Sequence, residues 1–313
     1  MRTVLVTGSH GWVGGHLRDL LVRRGDRVVG VGRRPRTASG AERYLRVDLR
    51  DARETAAAVD AVRPDVVFHL AATIPQQGAS ADDVVADAVL ATHHVCRALR
   101  AAADGGAPPR LVLVGSSAQY GAVPRERNPI TEETLPRPLG AYGHAKAAAE
   151  SVALAMAADG RIEVTAARPF NHVGPGEGSG TVAGALAGRV AEVLAGRRDR
   201  VRVADLDAVR DFTNVRDIAA AYLELAETGT TGRIYNVCSG LGVPVRTVLE
   251  TLLDLAGLDH SVVEVAPGAS EVRLQVGSAD RLVTETGWKA ATPLRDSLRD
   301  LLAELTNRPQ IDD

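Results

Sequence analysis

The chain opens with a short apolar run, Thr3–Thr7, that breaks into Gly8-Ser9-His10-Gly11-Trp12-Val13-Gly14 ahead of a helical pattern over 12–24. Glycines at i, i+3 and i+6 let the backbone approach a bulky anion without a Cβ in the way. The helix start that follows offers unpaired N–H groups and a partial positive charge. With glycine at about a tenth of residues, chance supplies roughly 0.3 such triplets in a chain this long, so the spacing alone is weak. Its placement is what constrains the fold. A strand, a tight turn and a helix in that order demand a right-handed βαβ unit and a parallel sheet. The turn residues Gly8, His10, Gly11, Trp12, Val13 and Gly14 are therefore candidates to hold the pyrophosphate of a dinucleotide.

Short apolar runs continue to alternate with amphipathic stretches. Strands are expected at Thr3–Thr7, Arg27–Val31, Tyr44–Val47, Asp65–Leu70, Arg110–Gly115 and Glu163–Ala167, and helices near 12–24, 51–62, 82–103 and 141–158. Strands apolar on both faces belong in a sheet covered on both sides. The fold class expected is α/β, a doubly wound parallel (Rossmann) sheet with a smaller α+β substrate-binding domain. The boundary is placed at 168, with 1–168 binding the dinucleotide, 169–313 binding substrate, and 207–229 returning to the first domain. Residues 169–180 are rich in Gly and Pro and read as irregular. Beyond them come helices near 181–195, 214–227 and 293–306 and a strand at Ile234–Val237. The loop 104–109 and the tail after Thr306 read as loosely structured.

Composition excludes several classes. A net charge of −2 offers no nucleic-acid or membrane-surface footprint. No apolar run approaches the ~20 residues that span a bilayer. The start of the chain reads as strand and turn, not as a signal peptide, so a cytoplasmic location is expected. Cys96 and Cys238 have no metal spacing and read as buried thiols, and His93-His94 lacks a third ligand, so no metal is expected.

The second strand ends in Val29-Gly30-Val31-Gly32-Arg33-Arg34. An NAD site usually places a carboxylate there for the ribose 2′-hydroxyl. Glycine followed by two arginines favours a 2′-phosphate, which guanidinium forks bind and a carboxylate repels. NADP(H) is the favoured cofactor, with NAD(H) as the alternative. The rival reading makes Arg33 and Arg34 solvated charges in an arginine-rich chain.

Of 37 basic residues only Lys146 and Lys289 are lysine, and Lys146 stands four residues after Tyr142. On a helix these two side chains share a face. A phenol of pKa ≈ 10 is a poor catalyst at neutrality. A cation ~4 Å away, at an effective dielectric near 20, would stabilise its anion by about 4 kcal/mol. Tyr142 and Lys146 are thus candidates for acid–base work. Ser116 and Ser117, at the end of the fifth strand, can reach the same crevice. Ser116 is the candidate to hold a substrate carbonyl oxygen, and Ser117 to touch substrate. Asn171, in the loop over the crevice, is a further substrate candidate, because a buried amide needs partners.

Gly8/Gly11/Gly14, Asp48-Leu49, His69-Leu70-Ala71-Ala72, Ser116-Ser117, Tyr142-x-x-x-Lys146, Arg168-Pro169-Phe170-Asn171, Asp211-Phe212 with Asp217, and Tyr235-Asn236-Val237 together resemble the extended short-chain dehydrogenase/reductases. These form the NAD-dependent epimerase/dehydratase family, and the resemblance covers nearly the whole chain. The segments 168–176 and 235–240 most resemble its GDP-4-keto-6-deoxymannose reductase branch. The resemblance implies an NAD(P)-dependent oxidoreductase acting on nucleotide sugars, with Tyr142 as acid–base, Ser116 on the sugar carbonyl and Lys146 on the nicotinamide ribose. It also implies that Asp48, Leu49, Leu70, Ala71 and Ala72 line the cofactor groove, and that two copies pair as a homodimer through the helices near 82–103 and 141–158.

Two departures matter. The 4,6-dehydratases carry a Glu where this chain has Ala118, so water elimination is not expected. The family's C-terminal arginine, which contacts the substrate diphosphate, is replaced by Gly268, leaving Arg210 or Arg273 to take its place. The expected activity is NADPH-dependent reduction of a 4-keto-6-deoxy nucleotide sugar. The alternatives are a 4-epimerase retaining tightly bound NAD, a reductase of a small non-nucleotide metabolite, and a non-catalytic dinucleotide sensor.

Overall fold

Runs of valine and leucine bury both their faces, and this drives seven strands into one parallel sheet. The computed structural model describes residues 1–35, 43–73, 79–103 and 105–307. Strands β1 (Thr3–Thr7), β2 (Arg27–Gly32), β3 (Arg43–Arg46), β4 (Val66–His69), β5 (Arg110–Val114) and β6 (Glu163–Pro169) alternate with helices α1 (Trp12–Arg24), α2 (Ala52–Val62), α3 (Ala81–Val85), α4 (Ala91–Ala102) and α5 (Ala141–Met156). Three short strands follow, β7 (Asn171–Val173), β8 (Val201–Val203) and β9 (Val209–Asn214), with α6 (Val182–Leu194) after β7 and α7 (Val215–Thr228) after β9. Strand β10 (Ile234–Val237) then completes the large sheet in the order β10-β6-β5-β4-β1-β2-β3. All neighbours in it are parallel.

Helices cover both faces of this Rossmann sheet. Leu17 and Leu21 of α1 and Ile218, Tyr222 and Leu225 of α7 pack on Val4, Val6 and Phe68. On the other face Val59, Val95, Leu99 and Ala153 pack on Leu5, Val67 and Leu111. Fully burying one such side chain contributes about 1.5–3 kcal/mol. The strand order reverses between β1 and β4, and a doubly wound sheet opens its ligand crevice at such a point.

The remaining elements build a smaller layer. Strands β11 (Gly242–Pro244) and β13 (Leu274–Gln275) flank β9, and β12 (Val263–Val265) pairs with β8. Helix α8 (Val245–Ala256) and helix α10 (Leu294–Asn307) bury Val248, Leu252, Leu298 and Leu301 against α6, whereas α9 (Asp280–Thr286) returns Leu282 to the α1/α7 face. Thus α7, β10 and α9 lie on the large sheet, while β9 belongs to the smaller one.

Two sequence expectations change. The stretch 169–180 is not wholly irregular. Asn171–Val173 is a strand paired in parallel with Phe212–Asn214, and Gly174-Pro175-Gly176 interrupts the chain only after it. The helix expected over 82–103 is interrupted by a π-helical turn at Ala86–Leu90. Such turns insert a residue and redirect side chains, often at functional sites; here the turn carries the buried Asp87. Residues 308–313 of the expected loose tail, and residue 104, lie outside the described residues. Among the described residues no helix is long and apolar enough to cross a membrane, and no group of three or more His, Cys, Asp or Glu could hold a metal ion.

Candidate active site

At the end of β1 the backbone turns at Gly8, in the left-handed region at φ 70°. A Cβ on Gly14 would sit 2.1 Å from the Gly8 carbonyl oxygen, so any side chain there drives the turn away from α1. Gly11 begins α1 without a capping side chain, and its first turn holds no acidic residue. The free N–H groups and the helix dipole together make an anion cradle. Trp12 contributes only its backbone to this cradle. Its indole Nε1 donates to the Pro175 carbonyl (2.7 Å), and His16 Nε2 lies 2.9 Å from the same oxygen.

Two hollows run outward from the glycine turn. The first is lined by Gly8, Gly32, Arg33, Asp48, Leu49, Ala71, Ala72 and Asp87. The second, with a cavity of about 500 Å³, is lined by Val13, Leu70, Ala72, Ser116, Ser117, Tyr142, Lys146, Asn171 and His172. Ala72 belongs to both, so they form one groove. A third hollow shares Thr181 and Val182 with the second and is lined further by Arg189, Asp205, Arg210 and Ser270.

At the outer end of the first hollow Arg33 is paired with Asp87 at 3.0 Å. Arg34 is exposed at the same edge, and its carbonyl accepts from Tyr44 Oη (2.9 Å). The Tyr44 phenol fills the space beside Gly32, where a Cβ would lie 2.6 Å from its oxygen. The His10 ring meets Tyr44 edge-on, with centroids 4.7 Å apart. Asp48 is held by Arg50 at 2.7 Å, which keeps its carboxyl below the usual range.

At the inner end α5 presents Tyr142 and Lys146 on one face. Gly143 between them is required by close approach, because a Cβ there would stand 2.6 Å from the Ala118 carbonyl. That contact brings the turn 117–119 against α5 and Ser116 within hydrogen-bonding reach of the Tyr142 phenol. Ser116 Oγ also accepts from Ala118 N–H (3.1 Å), and Gln119 Oε1 accepts from Ser116 N–H (2.9 Å). Ser117 Oγ lies 3.4 Å from Gln275 Oε1.

The expected direct tuning of Tyr142 by Lys146 is corrected. The ammonium donates to the Val114 carbonyl (2.7 Å) and stands 6.0 Å from the centre of the Tyr142 ring. Burial, only partly offset by the Ser116 hydrogen bond, pushes the Tyr142 phenol up rather than down. Burial also pushes Lys146 down to about 8. A desolvated site favours neutral forms of both groups. A phenol that keeps its proton is suited to giving one up to a developing alkoxide. His69, held by Thr7 Oγ1 at 2.8 Å, is pushed down to about 3 by burial and then by the Lys146 charge, so it stays neutral.

One turn beyond Lys146, Glu150 meets Arg168 of β6 (3.0 Å from Nε to Oε2), with both side chains buried. The guanidinium also stacks 4.8 Å from the centre of the Tyr120 ring. Sequence reading singled out neither Glu150 as a partner nor Asp87, Tyr222 and Glu177. Of the substrate candidates, Asn171 lines the crevice and Arg210 lines the third hollow, where it donates to Ser270 Oγ (2.9 Å) and the Val272 carbonyl (2.7 Å). Arg273 is drawn instead to Asp205 at 2.8 Å and is half exposed. Asp211 and Asp217 are structural. Asp211 accepts from Ser239, Gly240 and Gly277 N–H groups, and Asp217 from Ala291 and Thr292.

Glu177 buttresses the loop between the second and third hollows. Its carboxylate accepts from Gly174 N–H and Gly184 N–H (both 3.2 Å) and from the Thr181 hydroxyl. Burial outweighs these donors and pushes the carboxyl up to about 7. An acid raised in the folded state contributes stability that is complete below its ordinary value near 4.5 and lost as pH rises through about 7. About 3 kcal/mol is at stake. We expect Glu177→Gln to flatten the pH dependence of the unfolding free energy across this window. Denaturant melts at several pH values would reveal it, and an unchanged slope would refute it.

The profile of the NAD dependent epimerase/dehydratase family matches residues 4–238. The chain is 34% identical over 250 residues to a GDP-6-deoxy-D-mannose reductase of Pseudomonas aeruginosa, covering 78% of this chain and 81% of that protein. It is similar to the solved structure of RMD from Pseudomonas aeruginosa complexed with NADPH, with a TM-score of 0.85, 31% identity and coverage of 99% and 100%. It is also similar to the Thermus thermophilus UDP-glucose 4-epimerase in complex with NAD, with a TM-score of 0.85, 27% identity and coverage of 97% and 99%.

Proposed function

The chain belongs to the NAD dependent epimerase/dehydratase family, and from that premise we propose that it is an NADPH-dependent reductase of a nucleotide-linked 4-keto-6-deoxy sugar. The observation that carries this reading is the outer end of the groove. Arg33 lines it, and Tyr44 fills the space a carboxylate at position 32 would need. A cofactor bearing a 2′-phosphate is the kind that dissociates and delivers reducing equivalents in net turnover. The similarity to a reductase seen with NADPH supports the same choice.

The residues present fit a dinucleotide. The glycine turn and the uncapped start of α1 would hold the pyrophosphate, Asp48 and Leu49 would border the adenosine end, and Arg33 with Arg34 would meet the 2′-phosphate. The bound cofactor supplies the hydride that reduces the sugar carbonyl carbon. Ser116 would donate a hydrogen bond to the carbonyl oxygen, and Tyr142 would give that oxygen its phenolic proton as the carbonyl becomes an alcohol. Lys146 would hold the nicotinamide ribose. Asn171 and Arg210 would bind the phosphates of the substrate, with Ser117 near the sugar.

The test follows nicotinamide absorbance while purified protein meets a GDP-4-keto-6-deoxy sugar. Net NADPH consumption supports the reductase. Interconversion of UDP-sugars without net cofactor change, with NAD released only on denaturation, supports the epimerase instead. Arg33→Ser should raise the KM for NADPH by about tenfold, the value of one charge-assisted hydrogen bond, and leave that for NADH nearly unchanged. Equal effects on both cofactors would remove Arg33 from the 2′-phosphate site.

A further inference from the structure

Tyr222 sits at the centre of α7, facing the α1 side of the large sheet beside Ile218 and Leu225. Every neighbour at this helical spacing is apolar, and a phenylalanine would pack equally well. The phenol oxygen is wholly buried and has no hydrogen-bond partner among the described residues. A buried hydroxyl left in this state destabilises the folded protein. The same side chain lines the second hollow together with Val13, Leu70, Ser116, Tyr142 and Lys146. It is close enough to Tyr142 for that phenol to act on its ionisation. Tyr222 therefore carries an unmet polar group on a side chain that lines the space where the groove ends beside the acid–base pair.

We propose that the Tyr222 hydroxyl is a binding contact for the polar edge of the nicotinamide moiety, so that α7 as well as the glycine turn reads the cofactor. The proposal rests on the dinucleotide reading of the groove. It turns a cost in the free protein into a gain on binding, because the ligand supplies the missing partner. The role is one of binding and positioning, not of proton transfer.

The experiment compares wild type with Tyr222→Phe by isothermal titration, using NADPH and, separately, 2′-phospho-ADP-ribose, which lacks the nicotinamide. Thermal melts of the ligand-free proteins run in parallel. The expected result is a Kd for NADPH weakened about fivefold to tenfold. Affinity for 2′-phospho-ADP-ribose should not change, and the ligand-free Tm should stay the same or rise. If both ligands bind the variant as well as wild type, or both weaken equally, the contact does not exist. A lower ligand-free Tm would mean that the hydroxyl is satisfied by ordered water or by the protein, and would likewise overturn the proposal. Failure of wild type to bind either ligand would instead remove the dinucleotide reading beneath it.

Discussion

Tyr142→Phe is expected to lower kcat by about a hundredfold to ten-thousandfold while leaving the fold and the affinity for NADPH nearly intact. The range is what a positioned general acid contributes. The ring would survive the exchange, and it is the ring that packs beside Val84, Ala88, Ala145 and Ala149. Only the hydroxyl is lost, and with it the interaction with Ser116 that partly offsets burial. Stopped-flow and steady-state rates, set beside a thermal melt and a cofactor titration, would separate chemistry from packing. Burial keeps the phenol protonated, which is the form a donor needs in the reducing direction. Retention of the wild-type rate within threefold would mean that the proton comes from another group, and the mechanism argued from Tyr142 would fall.

Arg168→Met is expected to cost about 3–5 kcal/mol of stability, the largest loss we anticipate from any single exchange in this protein. Removing one partner of a buried ion pair strands the other charge. Here the stranded group would be the Glu150 carboxylate, whose pair is buried on both sides. The exchange also removes the cation stacked on Tyr120, whose hydroxyl donates to Asn236 Oδ1 (2.7 Å). Because Glu150 lies on α5 one turn after Lys146, the damage should reach the acid–base pair as well. The double variant Arg168→Met with Glu150→Leu should recover much of the stability, since an apolar pair of similar volume replaces an ionic one at little net cost. Denaturant unfolding of both singles and the double completes the cycle. A single variant as stable as wild type would show that the pair contributes nothing.

Much of the fold is readable from local chemistry. Val66–His69 and Arg110–Val114 are apolar on both faces, and only a two-sided sheet accommodates such runs. Tyr142 and Lys146 meet on one face because helical geometry alone dictates it. The helix Val245–Ala256 is equally readable, with buried positions 245, 248, 249, 252 and 253 at helical spacing. Contacts between distant elements are a different matter. The unmet hydroxyl of Tyr222 has meaning only once the residues around it are placed. The pairing of Arg168 with Glu150 spans 18 residues, and that of Trp12 with Pro175 spans 163. The tuning of Tyr142 escapes sequence spacing for the same reason. Spacing puts the ammonium near the phenol, but Val114, at the end of β5, claims its hydrogen bond.

The crowding of Tyr44 against Gly32 bears on how a lineage of such proteins can drift. A single codon change to aspartate at 32 would force the phenol to swing, surrendering its bond to the Arg34 carbonyl and its edge contact with His10. The intermediate ancestor would be handicapped before any new ligand preference could repay it. Exchange of one dinucleotide for the other would therefore pass first through a smaller residue at 44, and only then through an acid at 32.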